Sequence, residues 1–148
     1  VVAELAAYYR SRGLTLADGI EEIYKEYGYY AEKTISVTLS GVDGAEQIKA
    51  IMAKFRDNSP KEFNNTAITV VEDFKAQTST ATDGTVTALT TPPSDVLKYT
   101  LADGSWIAVR PSGTEPKIKF YIAVVGESNE DSQTKIANIE AEINAFVK

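Results

Sequence analysis

Ten consecutive residues, Arg110-Pro111-Ser112-Gly113-Thr114-Glu115-Pro116-Lys117-Ile118-Lys119, gather the groups that hold a phosphate. Arg110 carries five N–H donors in a planar fork that matches phosphate oxygens. Ser112 and Thr114 add two hydroxyl donors. Gly113 lets the backbone come close, so that successive N–H groups can converge on an anion. Pro111 and Pro116 stiffen both ends and reduce the ordering entropy that binding must overcome. Lys117 and Lys119 fall at i and i+2, which in a strand puts both on one face. A plainer reading makes this a hairpin loop whose Ser and Thr satisfy their own backbone, with Arg110 paired to Glu115. The concentration of donors favours anion binding, because it runs against the charge of the chain as a whole.

That charge is −6 over 148 residues, and 24% of them are Asp, Glu, Lys or Arg. An acidic surface repels nucleic-acid backbone and anionic membrane, so neither is an expected partner. The chain has no Cys and no His. Disulfides and thiolate chemistry are therefore excluded, as are the commonest general base and the commonest metal ligand. Catalysis within these residues would rest on Asp, Glu, Lys, Tyr or Ser alone. No apolar run approaches the roughly 20 residues of a membrane-crossing helix. The sequence opens on Val1 with no signal peptide, which reads as a piece of a longer, cytoplasmic protein.

Periodicity supplies the elements that must position the segment. Val1, Leu5, Tyr8 and Tyr9 share one helical face, and Gly13 ends that helix. Thr15 with Asp18 reads as the start of a second helix, striped by Ile20, Ile23, Tyr24 and Tyr27 and closed by Gly28. Ile35, Val37 and Leu39 alternate with Ser36, Thr38 and Ser40, which predicts a half-buried strand. Asp43 and Glu46 are placed to cap a helix striped by Ile48, Ile51, Met52 and Phe55. Strands follow at 67–74, 96–101, 105–109 and 118–125, with Asp103-Gly104 as a hairpin turn. The Thr-, Ser- and Pro-rich stretch 77–93 reads as a long exposed loop, with room for a short strand near Val86. Ser128 and Asp131 cap a last helix with Ile136, Ile139, Ile143 and Phe146 inward. The expected class is α+β: a mostly antiparallel sheet, ordered strand, helix, four strands, helix, and covered by the two helices.

Other candidates carry less. Helical spacing assigns Tyr8, Tyr9, Tyr24 and Tyr27 to core or interdomain packing rather than to a stacking platform. Trp106 is expected in the core. Glu127, Glu130 and Asp131 read as a solvated helix start, and Glu72 and Asp73 point to opposite faces of a strand.

The ten-residue segment resembles the phosphate-binding loop of the α-D-phosphohexomutase family. Tyr27-Gly28-Tyr29-Tyr30, Asp43-Gly44-Ala45-Glu46 and Asp103-Gly104-Ser105-Trp106 extend the likeness to most of the chain, nearest to the bacterial phosphoglucomutase branch. The resemblance implies a four-domain enzyme. Residues 31–148 would form its fourth domain, with a TATA-binding-protein-like fold, and residues 1–30 the end of the third domain and a connector. It implies that Arg110, Ser112, Gly113 and Thr114 hold the phosphate that is not being transferred. Lys119 stands where some relatives carry arginine, keeping the charge but not the bidentate fork. The implied reaction interconverts glucose 1-phosphate and glucose 6-phosphate, or mannose phosphates, through a phosphoserine. Magnesium and glucose 1,6-bisphosphate are the implied cofactors; the implied partners are the phosphosugar and the enzyme's other domains. The family's phosphoserine, magnesium and sugar loops have no match here, which implies that the chain alone is inactive. A stand-alone anion-binding module and a protein-interaction domain remain the alternatives.

Overall fold

A computed structural model describes residues 2–13, 15, 17–19, 21 and 28–147. Helix α1 spans Val2–Ser11, strand β1 Tyr29–Thr38 and helix α2 Gly44–Asp57. Strands β2 (Glu62–Phe63), β3 (Thr66–Asp73), β4 (Thr78–Ala81), β5 (Val86–Ala88), β6 (Leu97–Leu101), β7 (Trp106–Pro111) and β8 (Lys117–Gly126) follow, then helix α3 (Asn129–Val147). The strands lie in the order β1-β8-β7-β6-β3-β4-β5, with β2 paired to β3, and every pairing is antiparallel. The α+β class read from the sequence is therefore the observed one.

Alternation decides which face of the sheet is covered. Leu97, Tyr99 and Leu101 of β6, Ile107 and Val109 of β7, and Ile118, Phe120, Ile122 and Val124 of β8 are all buried. Against them lie Ile48, Ile51, Met52 and Phe55 of α2 and Ile136, Ile139 and Ile143 of α3. Phe55 sits among Phe146, Phe120 and Tyr99, with ring centroids 4.4, 5.8 and 6.2 Å away. The Tyr99 hydroxyl donates to the Phe55 carbonyl at 2.8 Å, and burial pushes its pKa up to about 12. Residues at the intervening strand positions form an opposite, open face.

Several local expectations need revision. Seven strands, not about four, lie between α2 and α3 among the described residues. The segment 77–93 contains the hairpin β4–β5, in which Thr78, Ser79 and Thr80 pair with Ala88, Thr87 and Val86. Its strands have no apolar alternation because they are short and rich in β-branched Thr, so a hydrophobic pattern could not reveal them. Strand β2 was likewise hidden by its length. Asn64 and Asn65, with φ of 50° and 56°, make the tight turn into β3, and Phe63 just before them is 2% exposed. Asp43 gives α2 no side-chain cap. Trp106 is half-buried on the open face, where the Lys98 ammonium lies 5.0 Å from its ring centroid, rather than in the core.

Near the N-terminus, Thr15 and Asp18 bond reciprocally, Asp18 N–H to the Thr15 hydroxyl and Thr15 N–H to the Asp18 carboxylate. Leu5 and Tyr8 are exposed, and the Arg12 guanidinium lies 5.7 Å from the Tyr8 ring centroid. The stripe Ile20, Ile23, Tyr24 and Tyr27 lies outside the described residues.

Candidate phosphate-binding site

The hairpin between β7 and β8 is shorter than the sequence suggested. Arg110 and Pro111 belong to β7 and Lys117 to β8, leaving Ser112–Pro116 as the loop. Ser112 N–H donates to the Lys117 carbonyl at 2.8 Å and Lys117 N–H to the Glu115 carbonyl at 2.7 Å, so the bend is tied across its base. It is also held from the side. Leu39 N–H donates to the Pro116 carbonyl at 2.9 Å. A Cβ built on Gly44, the first residue of α2, would lie 2.4 Å from the Leu39 carbonyl oxygen and 2.9 Å from the Pro116 Cβ. Only glycine lets the helix start come this close to the loop, and Gly44 is a supporting residue that local sequence patterns did not reveal.

The register of β7 and β8 then sets the charges. Arg110 is paired directly with Lys119, and Lys119 on its other side with Ser36 of β1. Directly opposed residues hold their Cβ atoms roughly 4.5–5.5 Å apart on one face, and like charges so placed are destabilising. Arg110 and Lys119 are both exposed, and neither makes a hydrogen bond or ion pair among the described residues. Two opposed cations with no directly bonded carboxylate among the described residues form a local positive field on this face of an acidic chain.

Loop donors lie beside that field. The Ser112 and Thr114 hydroxyl oxygens are 3.5 Å apart. The N–H groups of Gly113 and Thr114 donate to no acceptor among the described residues. A Cβ added at Gly113 would meet nothing within 4 Å, and its φ is not left-handed. The fold itself places no demand for glycine there, and the missing side chain leaves the backbone open to close approach from outside. Arg110, Pro111, Ser112, Gly113, Thr114, Lys119 and Tyr121 together line an open concavity of about 300 Å³.

All five residues read from the sequence as phosphate-binding are thus brought together. Lys117 is not part of the group: its ammonium pairs with Glu115 at 2.6 Å. That hydrogen bond, with the charge of Lys117 behind it, holds the Glu115 carboxyl below its ordinary value. The plainer reading of the loop had given Glu115 to Arg110; Lys117 takes it instead and leaves the guanidinium available. Tyr121 is a lining residue the sequence reading passed over, although it lies two positions after Lys119 on the same strand face. Among the described residues no three Asp, Glu, His or Cys side chains converge as a metal site requires. No helix among them is long and apolar enough to cross a membrane.

Residues 37–145 match the family model described as phosphoglucomutase/phosphomannomutase, C-terminal domain. A phosphoglucomutase of Staphylococcus aureus (strain bovine RF122 / ET3-1) is 36% identical over 137 residues, covering 92% of this chain and 25% of that protein. A phosphoglucomutase of Staphylococcus haemolyticus (strain JCSC1435) is 33% identical over 139 residues, covering 93% and 25%. The chain therefore spans about a quarter of the length of these curated relatives. Among solved structures, the open form of pp63/parafusin, a phosphoglucomutase from Paramecium, superposes with a TM-score of 0.55 at 16% identity, over 90% of this chain and 22% of that one. At that identity the match speaks for the fold alone. The chain belongs to the phosphoglucomutase/phosphomannomutase family, as its C-terminal domain.

Proposed function

We propose that this chain is the phosphate clamp of a phosphoglucomutase. In that enzyme a phosphoserine elsewhere in the protein would pass its phosphoryl group to glucose 1-phosphate. A bisphosphate would form, reorient, and return its other phosphate to the serine, leaving glucose 6-phosphate. Glucose phosphate is the substrate this reading adopts, in keeping with the phosphoglucomutases the chain resembles, and mannose phosphate is the alternative. The clamp grips whichever phosphate is not being transferred and fixes its distance from the reacting one. Arg110 and Lys119 would neutralise the dianion, the Ser112 and Thr114 hydroxyls and the Gly113 and Thr114 N–H groups would orient it, and none of them reads the sugar's stereochemistry. The observation that carries this reading is the directly opposed, unpaired Arg110 and Lys119 beside a loop with free N–H groups.

On this reading residues 31–148 form one unit of a longer, cytoplasmic enzyme, and residues 1–30 are the end of the unit before it. The metal and the phosphoserine belong to that enzyme's other domains, so the chain alone binds phosphosugar without turning it over. A hinge ahead of the clamp would let it close and exclude water. Tyr29 to Ala31 are paired with Gly126 to Val124 in the β1–β8 ladder, which confines such a hinge to Gly28 and what precedes it. Titration with glucose 1-phosphate followed by amide NMR tests the reading. Binding on the order of millimolar is expected for a single phosphate, with the largest shifts at residues 110–119 and lost in Arg110→Ala. Shifts that bypass Arg110 to Lys119, or none, would refute it.

A further inference from the structure

Tyr121 has no part in gripping a phosphate as described so far, yet it closes one end of the concavity that the clamp residues line. It follows Lys119 by two positions on the open face of β8, about 6.6 Å further along the strand. Its cross-strand neighbours are Ala108 on β7 and Thr34 on β1, both short side chains. The ring is half-buried and its hydroxyl makes no hydrogen bond among the described residues. An aromatic ring flanked by two low neighbours stands as an island on the sheet, with both an apolar surface and a polar tip to offer.

The loop fixes which way a ligand can extend. Ser112–Pro116 closes the site beyond Arg110 and Lys119, whereas the row Ala108, Tyr121 and Thr34 continues it across the sheet. A phosphate held at Arg110 and Lys119 that carried an organic group would lay that group toward Tyr121 or leave it in water. We infer that Tyr121 is a substrate-binding residue that receives the sugar of the phosphoester, its ring covering a C–H face of the hexose and its hydroxyl within reach of a sugar hydroxyl. Aromatic side chains suit this role because they present a large apolar surface at a small entropy cost, with one polar atom for orientation. The clamp, blind to the sugar through its donors, would thereby distinguish a hexose phosphate from free phosphate. The inference rests on the clamp reading above and extends it.

The test compares three probes on the 148-residue chain: inorganic phosphate, methyl phosphate and glucose 1-phosphate, each titrated by amide NMR. Glucose 1-phosphate is expected to bind more tightly than the other two. Tyr121→Leu should weaken glucose 1-phosphate by about three- to tenfold, the range of an aromatic contact, and leave inorganic and methyl phosphate unchanged. Tyr121→Phe should keep most of the preference, since it retains the ring. Both changes are on the open face and remove no internal hydrogen bond, and unchanged affinity for inorganic phosphate doubles as the check that the site is intact. If all three probes bind alike in the unaltered chain, or if Tyr121→Leu weakens them equally, Tyr121 does not receive the sugar while the clamp stands. If inorganic phosphate does not bind at all, the clamp reading itself is wrong and this inference falls with it.

Discussion

Cations on the two faces of the sheet are treated differently. Toward the helices, Arg56 donates to Asp73 at 3.1 Å and to Asp95 at 2.5 Å, Lys135 meets Asp103 at 3.2 Å, and Lys33 meets Glu140 at 2.5 Å. On the open face by the loop, Arg110 and Lys119 face each other with no carboxylate between them. Lys117 and Lys119 make the contrast within a single strand, two residues apart, one paired with Glu115 and the other not. Arg56, Lys135 and Lys33, which tie elements of the fold together, come with their anions. A cation left without one, directly opposite another, carries an electrostatic cost that a bound anion would relieve.

The comparison can be broken most decisively at Arg56. Its side chain is 21% exposed, and removing it strands the partly buried Asp73 beside Asp95. Arg56→Ala should cost about 1–3 kcal/mol of folding stability, as expected for losing charge-assisted hydrogen bonds, yet leave phosphosugar affinity unchanged. Arg110→Ala should do the reverse. Urea denaturation and ligand titration on both variants read the two effects, and a change that crosses from one column to the other would undo the distinction.

Acid separates the same regions. Burial alone would raise Asp73, but the Ala76 N–H and Arg56 outweigh it and hold it below 3.8; Asp103 is held down likewise by the Ser105 N–H and Lys135. Carboxyls lowered on folding contribute stability that is complete above their ordinary value and lost as pH falls through the lowered one. The fold should therefore hold from pH 7 to pH 5 and weaken below about pH 4, with a smaller loss in Asp103→Asn. Phosphate affinity should already decline between about pH 7 and 5, because a phosphoester gives up its second charge near pH 6 while Arg and Lys keep theirs. Circular dichroism and titration at stepped pH measure the two profiles.

The smallest effects sharpen the comparison inside β8. Lys119→Arg should tighten glucose 1-phosphate binding by a few-fold, since it restores a bidentate fork. Lys117→Ala should change it by less than about twofold, its charge being already paired at an exposed position. Equal effects at 117 and 119 would mean that pairing with Glu115 is not what sets them apart.

How much of this was legible depends on how local each signal is. The stripes of α2 and α3, the alternation in β6 to β8 and the reciprocal bonds of Thr15 and Asp18 all lie within a few residues of one another, and each is found where periodicity put it. The clamp residues were legible for the same reason, being crowded into ten positions. What escaped depends on pairing between distant segments. The opposition of Arg110 and Lys119 needs the hairpin register, and Gly44 takes its meaning from the Leu39 carbonyl and from Pro116, the latter 72 positions on (116 − 44). Trp106 was misplaced because size and apolarity suggest burial, whereas its strand position turns it to the open face beside Lys98. Strand β4 was missed because its Thr78-Ser79-Thr80-Ala81 run leaves no hydrophobic trace.

The pairing of β1 with β8 has a mechanical consequence. The strands match from Tyr29 opposite Gly126 at one end to Thr38 opposite Lys117 at the other, and Ser132 fastens the first end by donating to the Tyr29 carbonyl at 2.5 Å. Entry of the chain and grip on the ligand thus occupy the two tips of one stiff beam, about 30 Å long at the usual rise per residue. Swinging that beam by about 10° from Gly28 would carry the loop through about 5 Å, enough to bring a phosphate into or out of reach with no distortion inside the domain. On the clamp reading, leverage of this kind would let a small pivot far from the ligand govern its capture and release.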